Sequence, residues 1–178
     1  DTWEAAEADL QDSRVAVSAA VARVDALESV AAGLAHPQAR ERAAAASQVR
    51  GSLATILDIP NTFAAAVDAA LGPWSDALAV ADSTAVELVV GDLKASGLGG
   101  VPLVTARPEY VDGPARAVAE AFGLEALVDV LGDKADRDLA KSLLGDVVVA
   151  EGWSAGWQVV AQHPHLRVVT PEGDLITA

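Results

Sequence analysis

Three clusters in this sequence hold side chains that could do chemistry. Gly152-Trp153-Ser154-Ala155-Gly156 is a literal G-x-S-x-G, the pattern that exposes a serine nucleophile on a sharp strand-to-helix turn. It follows the apolar run Asp146–Val149 and opens a helical pattern, the context such an elbow needs. The partners come in the wrong order, however. A serine, acid, histidine sequence is expected, whereas the downstream histidines His163 and His165 precede Asp174 and follow Ser154 too closely for a separate triad loop. The alternative is that Ser154 helps to start a helix, with the glycines giving the turn its freedom. His163-Pro164-His165 could turn two imidazoles towards a metal, but without cysteine such a site would need carboxylates from elsewhere. A turn carrying two solvated histidines accounts for the pair. Asp129, Asp133, Asp136 and Asp138 alternate with Lys134, Arg137 and Lys141. Their spacing fits a solvated helix with an Asp133–Arg137 pair and not a calcium loop.

The remaining chemistry is thin. Gly97-Leu98-Gly99-Gly100 follows a helical pattern, whereas a phosphate cradle needs amides at a helix N-terminus; it reads as a helix stop and a tight loop. No G-x-x-x-x-G-K-[ST] occurs. Of Trp3, Trp74, Trp153 and Trp157, Trp74 falls in a loop after Gly72, where it either anchors a contact or lids the core. We expect no catalytic residue, no metal site and no cofactor in this chain, which favours an assembly role.

The elements that would position these residues are legible from periodicity and caps. Gly51 to Ala106 is the organising stretch. An apolar segment, Leu53 to Ile59, runs into Pro60, and a helical pattern through Phe63, Val67, Ala70 and Leu71 stops at Gly72. Ala77 to Ala81 reads as a strand, Asp82-Ser83-Thr84 starts a second helix that ends at Ser96-Gly97, and Val101 to Thr105 is another strand. A weak repeat follows. Leu127–Val130 precedes a helix ending Leu143-Leu144-Gly145; Asp146–Val149, a helix and the strand Leu166–Thr170 come next, and Leu175–Thr177 forms a last hairpin strand after the turn Pro171–Asp174. Ala106 to Gly113 reads as the loop between two half-domains. Upstream, Trp3, Ala6, Leu10, Ser13, Val17, Ala20, Val24, Leu27, Ala31 and Leu34 keep an unbroken a/d register, a helix about 50 Å long at 1.5 Å per residue. One narrow apolar seam calls for a partner helix; the alternative is a long amphipathic helix lying on the domain. Pro37 then opens a short helix reaching roughly Gln48.

Composition narrows the classes. At 178 residues and 52% hydrophobic the chain can bury a substantial core, and with only 4% aromatics that core must be alanine, valine and leucine. The absence of cysteine excludes disulfides and thiolate metal sites. With no methionine and a start at Asp1, the chain is expected to be a piece of something longer. No apolar run spans a bilayer and no signal peptide is visible. The net charge of −14 opposes non-specific binding of phosphate backbones.

Several segments together resemble the hinge domain of bacterial SMC (structural maintenance of chromosomes) proteins. These are Ala66-Val67-Asp68-Ala69-Ala70-Leu71-Gly72 followed by an apolar strand, Leu93-Lys94 with Gly97-Leu98-Gly99, Leu144–Val149, and Arg167-Val168-Val169-Thr170-x-x-Gly173-Asp174-Leu175-Ile176. The likeness covers roughly residues 50–178. The family pattern continues into a glycine-rich segment and a returning arm helix, of which only Gly173 precedes the last residue, Ala178. The resemblance implies an α+β fold: two similar helix/strand half-domains (about 51–106 and 113–178) within a dimerisation domain 51–178, preceded by a coiled-coil arm 1–36 and a helical junction 37–50. It also implies a doughnut-like homodimer that joins two arms whose distant ATPase heads act on chromosomal DNA, in the cytoplasm and at the nucleoid. Short strands can leave edges that pair with another chain, so Val101, Leu103, Val104, Gly173, Leu175 and Ile176 are the expected interface residues. Arg40, Arg42, Arg50, Lys94 and Arg167 are the candidates for a weak DNA contact. The competing readings are an α/β hydrolase-like domain using Ser154, and a coiled-coil adaptor whose tip binds another protein.

Overall fold

A computed structural model describes residue 17 and residues 37–106 and 114–178. The seamed arm helix, apart from Val17, and the loop after Ala106 lie outside the described residues. The described elements are α1 (Pro37–Ala44), β1 (Val49–Ser52), α2 (Leu53–Ile56), α3 (Ala64–Leu71), β2 (Leu78–Val80), α4 (Ser83–Ala95) and β3 (Leu103–Val104). They continue with α5 (Ala115–Phe122), β4 (Glu125–Ala126), α6 (Arg137–Leu144), β5 (Val147–Val149), α7 (Trp153–Gln162), β6 (Arg167–Val169) and β7 (Leu175–Ile176).

The repeat is real and longer than the sequence suggests. One sheet has the order β1-β2-β3 and the other β4-β5-β6-β7. Each begins with an antiparallel pair and continues with a parallel one, β2–β3 across α4 and β5–β6 across α7. A helix precedes each sheet, α1 before β1 and α5 before β4. Local chemistry sets the ends. Asp82 Oδ1 accepts the Ala85 N–H at 2.8 Å to start α4, as Asp82-Ser83-Thr84 foretold. At its other end Gly97 turns left-handed (φ 67°), and the Leu98 N–H reaches back to the Leu93 carbonyl at 2.8 Å. The same stop closes α5, where Gly123 has φ 67° and Leu124 N–H bonds the Ala119 carbonyl at 2.8 Å.

One core serves both halves. Leu53, Leu57 and Val67 of the first half are fully buried with Leu127, Leu144, Val147, Val148 and Val159 of the second. β2 alternates as a two-sided strand must: Ala77 and Ala79 face that core, while Leu78 joins a smaller cluster with Ala39, Ala43, Val89 and Leu93.

Two polar clasps lock the halves together. Asp58, at φ 47°, accepts the Gly132 N–H on its carbonyl (2.9 Å) and the Lys134 N–H on its carboxylate (3.0 Å). Asp136 N–H bonds the Ile56 carbonyl at 3.0 Å, and Arg50 reaches the Asp136 carboxylate at 2.6 Å. The approach is so close that a Cβ on Gly132 would lie against the Asp58 carboxylate and 2.8 Å from its backbone carbonyl oxygen. In the second clasp Arg167 holds Asp146 with two nitrogens (2.8 and 2.6 Å) and donates to the carbonyls of Ala70 (2.6 Å) and Leu143 (2.8 Å).

Several expectations are corrected. The helix opened by Pro37 stops at Ala44, and Val49–Ser52 pairs with β2 where a helical junction was expected. Because α1 buries Ala39 and Ala43, the junction belongs to the folded unit. The acidic run is not one helix: Asp136 caps α6 by accepting from Asp138 (3.1 Å) and Leu139 (3.0 Å), so the helix begins only at Arg137. Arg137 therefore donates to the Val128 and Gly132 carbonyls (2.8 and 3.2 Å) and not to Asp133, and Asp129 pairs with Arg116. No described helix is long and apolar enough to cross a membrane.

Two outcomes are expected. Gly132→Ala should lower unfolding free energy by about 1–3 kcal/mol through overpacking, whereas Gly91→Ala, with open space around it, should raise it by about 0.4–1 kcal/mol; urea titrations read both. Burial raises the Asp136 carboxyl, but the Leu139 and Asp138 N–H groups and Arg50 outweigh it and hold it below the usual 3.8. Its contribution is then complete above about pH 3.8 and lost as pH falls through the lowered folded value. The stability gap between the wild type and Asp136→Asn should accordingly shrink in acid titrations below that point.

Candidate self-association edges

β3 and β7, the two strands expected to meet another chain, each lie at one edge of their sheet, with β1 and β4 at the opposite edges. β3 pairs with β2 alone and β7 with β6 alone among the described residues. Their outer backbone groups present the row of donors and acceptors that an added strand requires. Leu103 and Val104 are half-buried, Ile176 is half-buried, and Leu175 is 47% exposed.

Each edge is built by a tight turn. Before β3, Gly100 has φ 80° and the Pro102 carbonyl accepts the Leu78 N–H at 3.0 Å, which brings the strand in parallel to β2. Before β7, buried Thr170 closes the hairpin. Its hydroxyl accepts the Asp174 N–H (3.1 Å) and donates to the Asp174 carboxylate (3.2 Å), and its N–H bonds the Asp174 carbonyl (3.0 Å). Gly173 adopts φ 98° inside this turn, and a Cβ there would come within 3.3 Å of Ala65 in α3. Its missing side chain thus makes room for a contact within the chain.

The five candidate cations are not assembled into a patch of free charge. Arg42 holds Asp92 through two nitrogens at 2.6 and 2.7 Å, which raises the arginine and lowers the carboxyl. Arg40 bonds the Asp76 carbonyl and lies 3.9 Å from its carboxylate. Arg50 is taken by Asp136, and Arg167 by Asp146 and two carbonyls. Lys94 stands in the last turn of α4, where a cation suits the helix dipole. Pairing cancels most of the field that a phosphate backbone would feel.

The chemistry-bearing clusters stay apart. Gly152, not Ser154, caps α7, and exposed Ser154 sits in its first turn with no side-chain cap bond. His163 follows the last turn of the same helix, about 13 Å along its axis from Ser154, so it does not serve as a base for that hydroxyl. His163 is half-buried and packs edge-on against Phe122 (5.8 Å) and His165 (6.0 Å), not solvated like its neighbour. Among the described residues no three His, Cys, Asp or Glu side chains gather to hold a metal. Trp74 is 51% exposed and, with Arg40, Pro73, Asp76, Gly100, Val101 and Pro102, lines a groove of about 460 Å³ beside β3.

Known proteins resemble this chain in sequence and in fold. Residues 46–158 match the family described as SMC proteins Flexible Hinge Domain. The chain is 33% identical over 130 residues to the chromosome partition protein Smc of Mycolicibacterium paratuberculosis, covering 73% of this chain and 11% of that protein. It is 31% identical over 181 residues to its namesake from Mycobacterium tuberculosis, covering 96% and 15%. The chain thus spans a small part of the curated relatives it matches. Among solved structures it resembles the asymmetric dimer of the Geobacillus stearothermophilus SMC hinge domain (TM-score 0.65, 21% identity, 96% of this chain and 73% of that one). The Pyrococcus furiosus SMC hinge domain is also similar (TM-score 0.58, 25% identity, 79% and 73%).

With Ser154 and the histidines at opposite ends of α7, a fluorophosphonate probe should leave the chain unlabelled by mass spectrometry. Labelling that Ser154→Ala abolishes would contradict the separation.

Proposed function

The chain belongs to the flexible hinge domain family of SMC proteins, and we propose that it is the element through which two such chains join. β3 of each protomer adds to β7 of the other, so that a two-fold pair closes with two equivalent junctions. The observation that carries this reading is the place of both strands at the free edges of their sheets. Backbone hydrogen bonds would supply the attraction, and Leu103, Val104, Leu175 and Ile176 the register. The Geobacillus stearothermophilus relative is a dimer by description, which supports the same arrangement here.

In the longer protein such a pair would join two coiled-coil arms, with the chain's own residues 1–36 as the start of one, and the ATPase heads would lie far from the hinge. The hinge itself needs no cofactor and does no chemistry. Its place would be the cytoplasm, at the nucleoid. DNA contact at the hinge is secondary, weak and steeply salt-dependent, since four of the five candidate cations are spent on acids of the chain itself.

Sedimentation tests the pairing. The 18.1 kDa chain should associate to twice its mass, and Leu103→Asp or Leu175→Asp should weaken association at least about tenfold by placing an unpaired charge at the junction. Circular dichroism should be unchanged for Leu175→Asp, whose side chain is exposed. A monomer at high concentration, or an unaltered dimer in both variants, would remove the edges from consideration.

A further inference from the structure

The two halves differ at one corresponding place. β3 and β6 are equivalent strands, each reached from its parallel neighbour across one helix, α4 or α7. Outside β6 lies β7, antiparallel to it, whereas among the described residues nothing pairs with the outer side of β3. The second half thus shows which strand direction suits the place that the first half leaves open.

Side chains fix the faces. Leu103 and Val101 join Leu78 in the cluster on the α1 and α4 side of the first sheet, and Val104 packs against the main core. In the second sheet a Cβ on Gly156 of α7 would lie 2.6 Å from Ile176 Cδ1 and 3.0 Å from Val168 Cγ1, so Ile176 points to α7. Leu175, next along the strand, points to the other face and is 47% exposed. The groove lined by Arg40 of α1, Trp74, Asp76, Val101 and Pro102 opens at the start of β3. Arg40 and Val101 place it on the α1 side of the sheet.

We propose that β7 of a second copy lies antiparallel to β3 and that its Leu175 enters this groove, between Leu103 and Trp74. The inference rests on the edge-pairing reading above and gives that reading a direction, a face and a receiving site. In such a joined sheet β2, β3 and the second copy's β6 and β5 all run the same way. The two crossovers then approach the seam from opposite sides. Both take the right-handed form of parallel connections, so α4 and the second copy's α7 come to lie on opposite faces. Leu175 points away from its own α7 and therefore arrives on the face of α4, where Leu103, Val101 and the groove are. Residues directly opposite each other share a face, which sets Leu175 across from Leu103 and not from Val104. A parallel β7 would reverse the faces and set Leu175 against Val104.

Disulfide cross-linking tests the arrangement, because the chain contains no cysteine. An oxidised mixture of Leu103→Cys and Leu175→Cys chains should run at twice the chain mass on a non-reducing gel, since opposed Cβ atoms lie about 4.5–5.5 Å apart. A mixture of Val104→Cys and Leu175→Cys chains should not. Trp74→Ala, at an exposed position, should raise the Kd for self-association about tenfold, with circular dichroism unchanged. A link through Val104 in place of Leu103, or an unchanged Kd in Trp74→Ala, overturns the proposal and leaves the edge reading standing. A chain that dimerises with neither link, or that stays monomeric, overturns both.

Discussion

The whole arrangement depends on how closely the chain after α2 crosses over the loop before α6. Gly132 leaves room for the Asp58 main chain, and Asp58 accepts that loop's amides with both its carbonyl and its carboxylate. A left-handed aspartate costs free energy unless neighbours hold it, and here two N–H donors do. On the far side Arg167 ties the end of α3 to the end of α6 through the carbonyls of Ala70 and Leu143. Between these two points the apolar core runs unbroken from one half into the other. The halves are consequently one body, although each has the topology of a small unit.

That rigidity has a functional consequence. An edge strand of two residues is a poor adhesive when it can sway, because ordering it consumes much of what its hydrogen bonds return. Fixing both sheets in one body presents two edges at a set separation and orientation. A second copy then meets both together, and closing one junction brings the other to high effective concentration. The same economy explains where the charges went. Arg50 and Arg167 serve the clasps, and Arg40 and Arg42 are tied to Asp76 and Asp92, so among the described residues these four cations form no free basic face on a strongly acidic chain.

Much of this was legible in the sequence, for local reasons. Asp82, Gly97 and Gly72 mark ends that caps and turns dictate wherever they occur, and the runs at Leu78–Val80, Val147–Val149 and Arg167–Val169 are apolar enough to be strands under any packing. The repeat was visible because both halves spell strand, helix, strand with the same stops. β1 and β4 were not: Val49-Arg50-Gly51-Ser52 and Glu125-Ala126 have no alternation to betray them, and they become strands only because β2 and β5 offer a partner. The short α5 was hidden for lack of a capping side chain, the residue at its N-cap being Pro114. The roles of Arg167, Gly132 and Gly173 were hidden more deeply. Each depends on a residue distant in the chain (Ala70, Asp58 and Ala65), and one sequence alone does not reveal such a neighbour.

Amide hydrogen exchange as a function of protein concentration addresses the central claim most directly, that this body joins its twin through two sheet edges. Protection at Leu103, Val104, Leu175 and Ile176 should climb together from dilute to concentrated solution, while Val147–Val149 and the other inner strands keep the protection they already have. Exchange at those four amides that ignores concentration, or protection gained elsewhere in their stead, would contradict it.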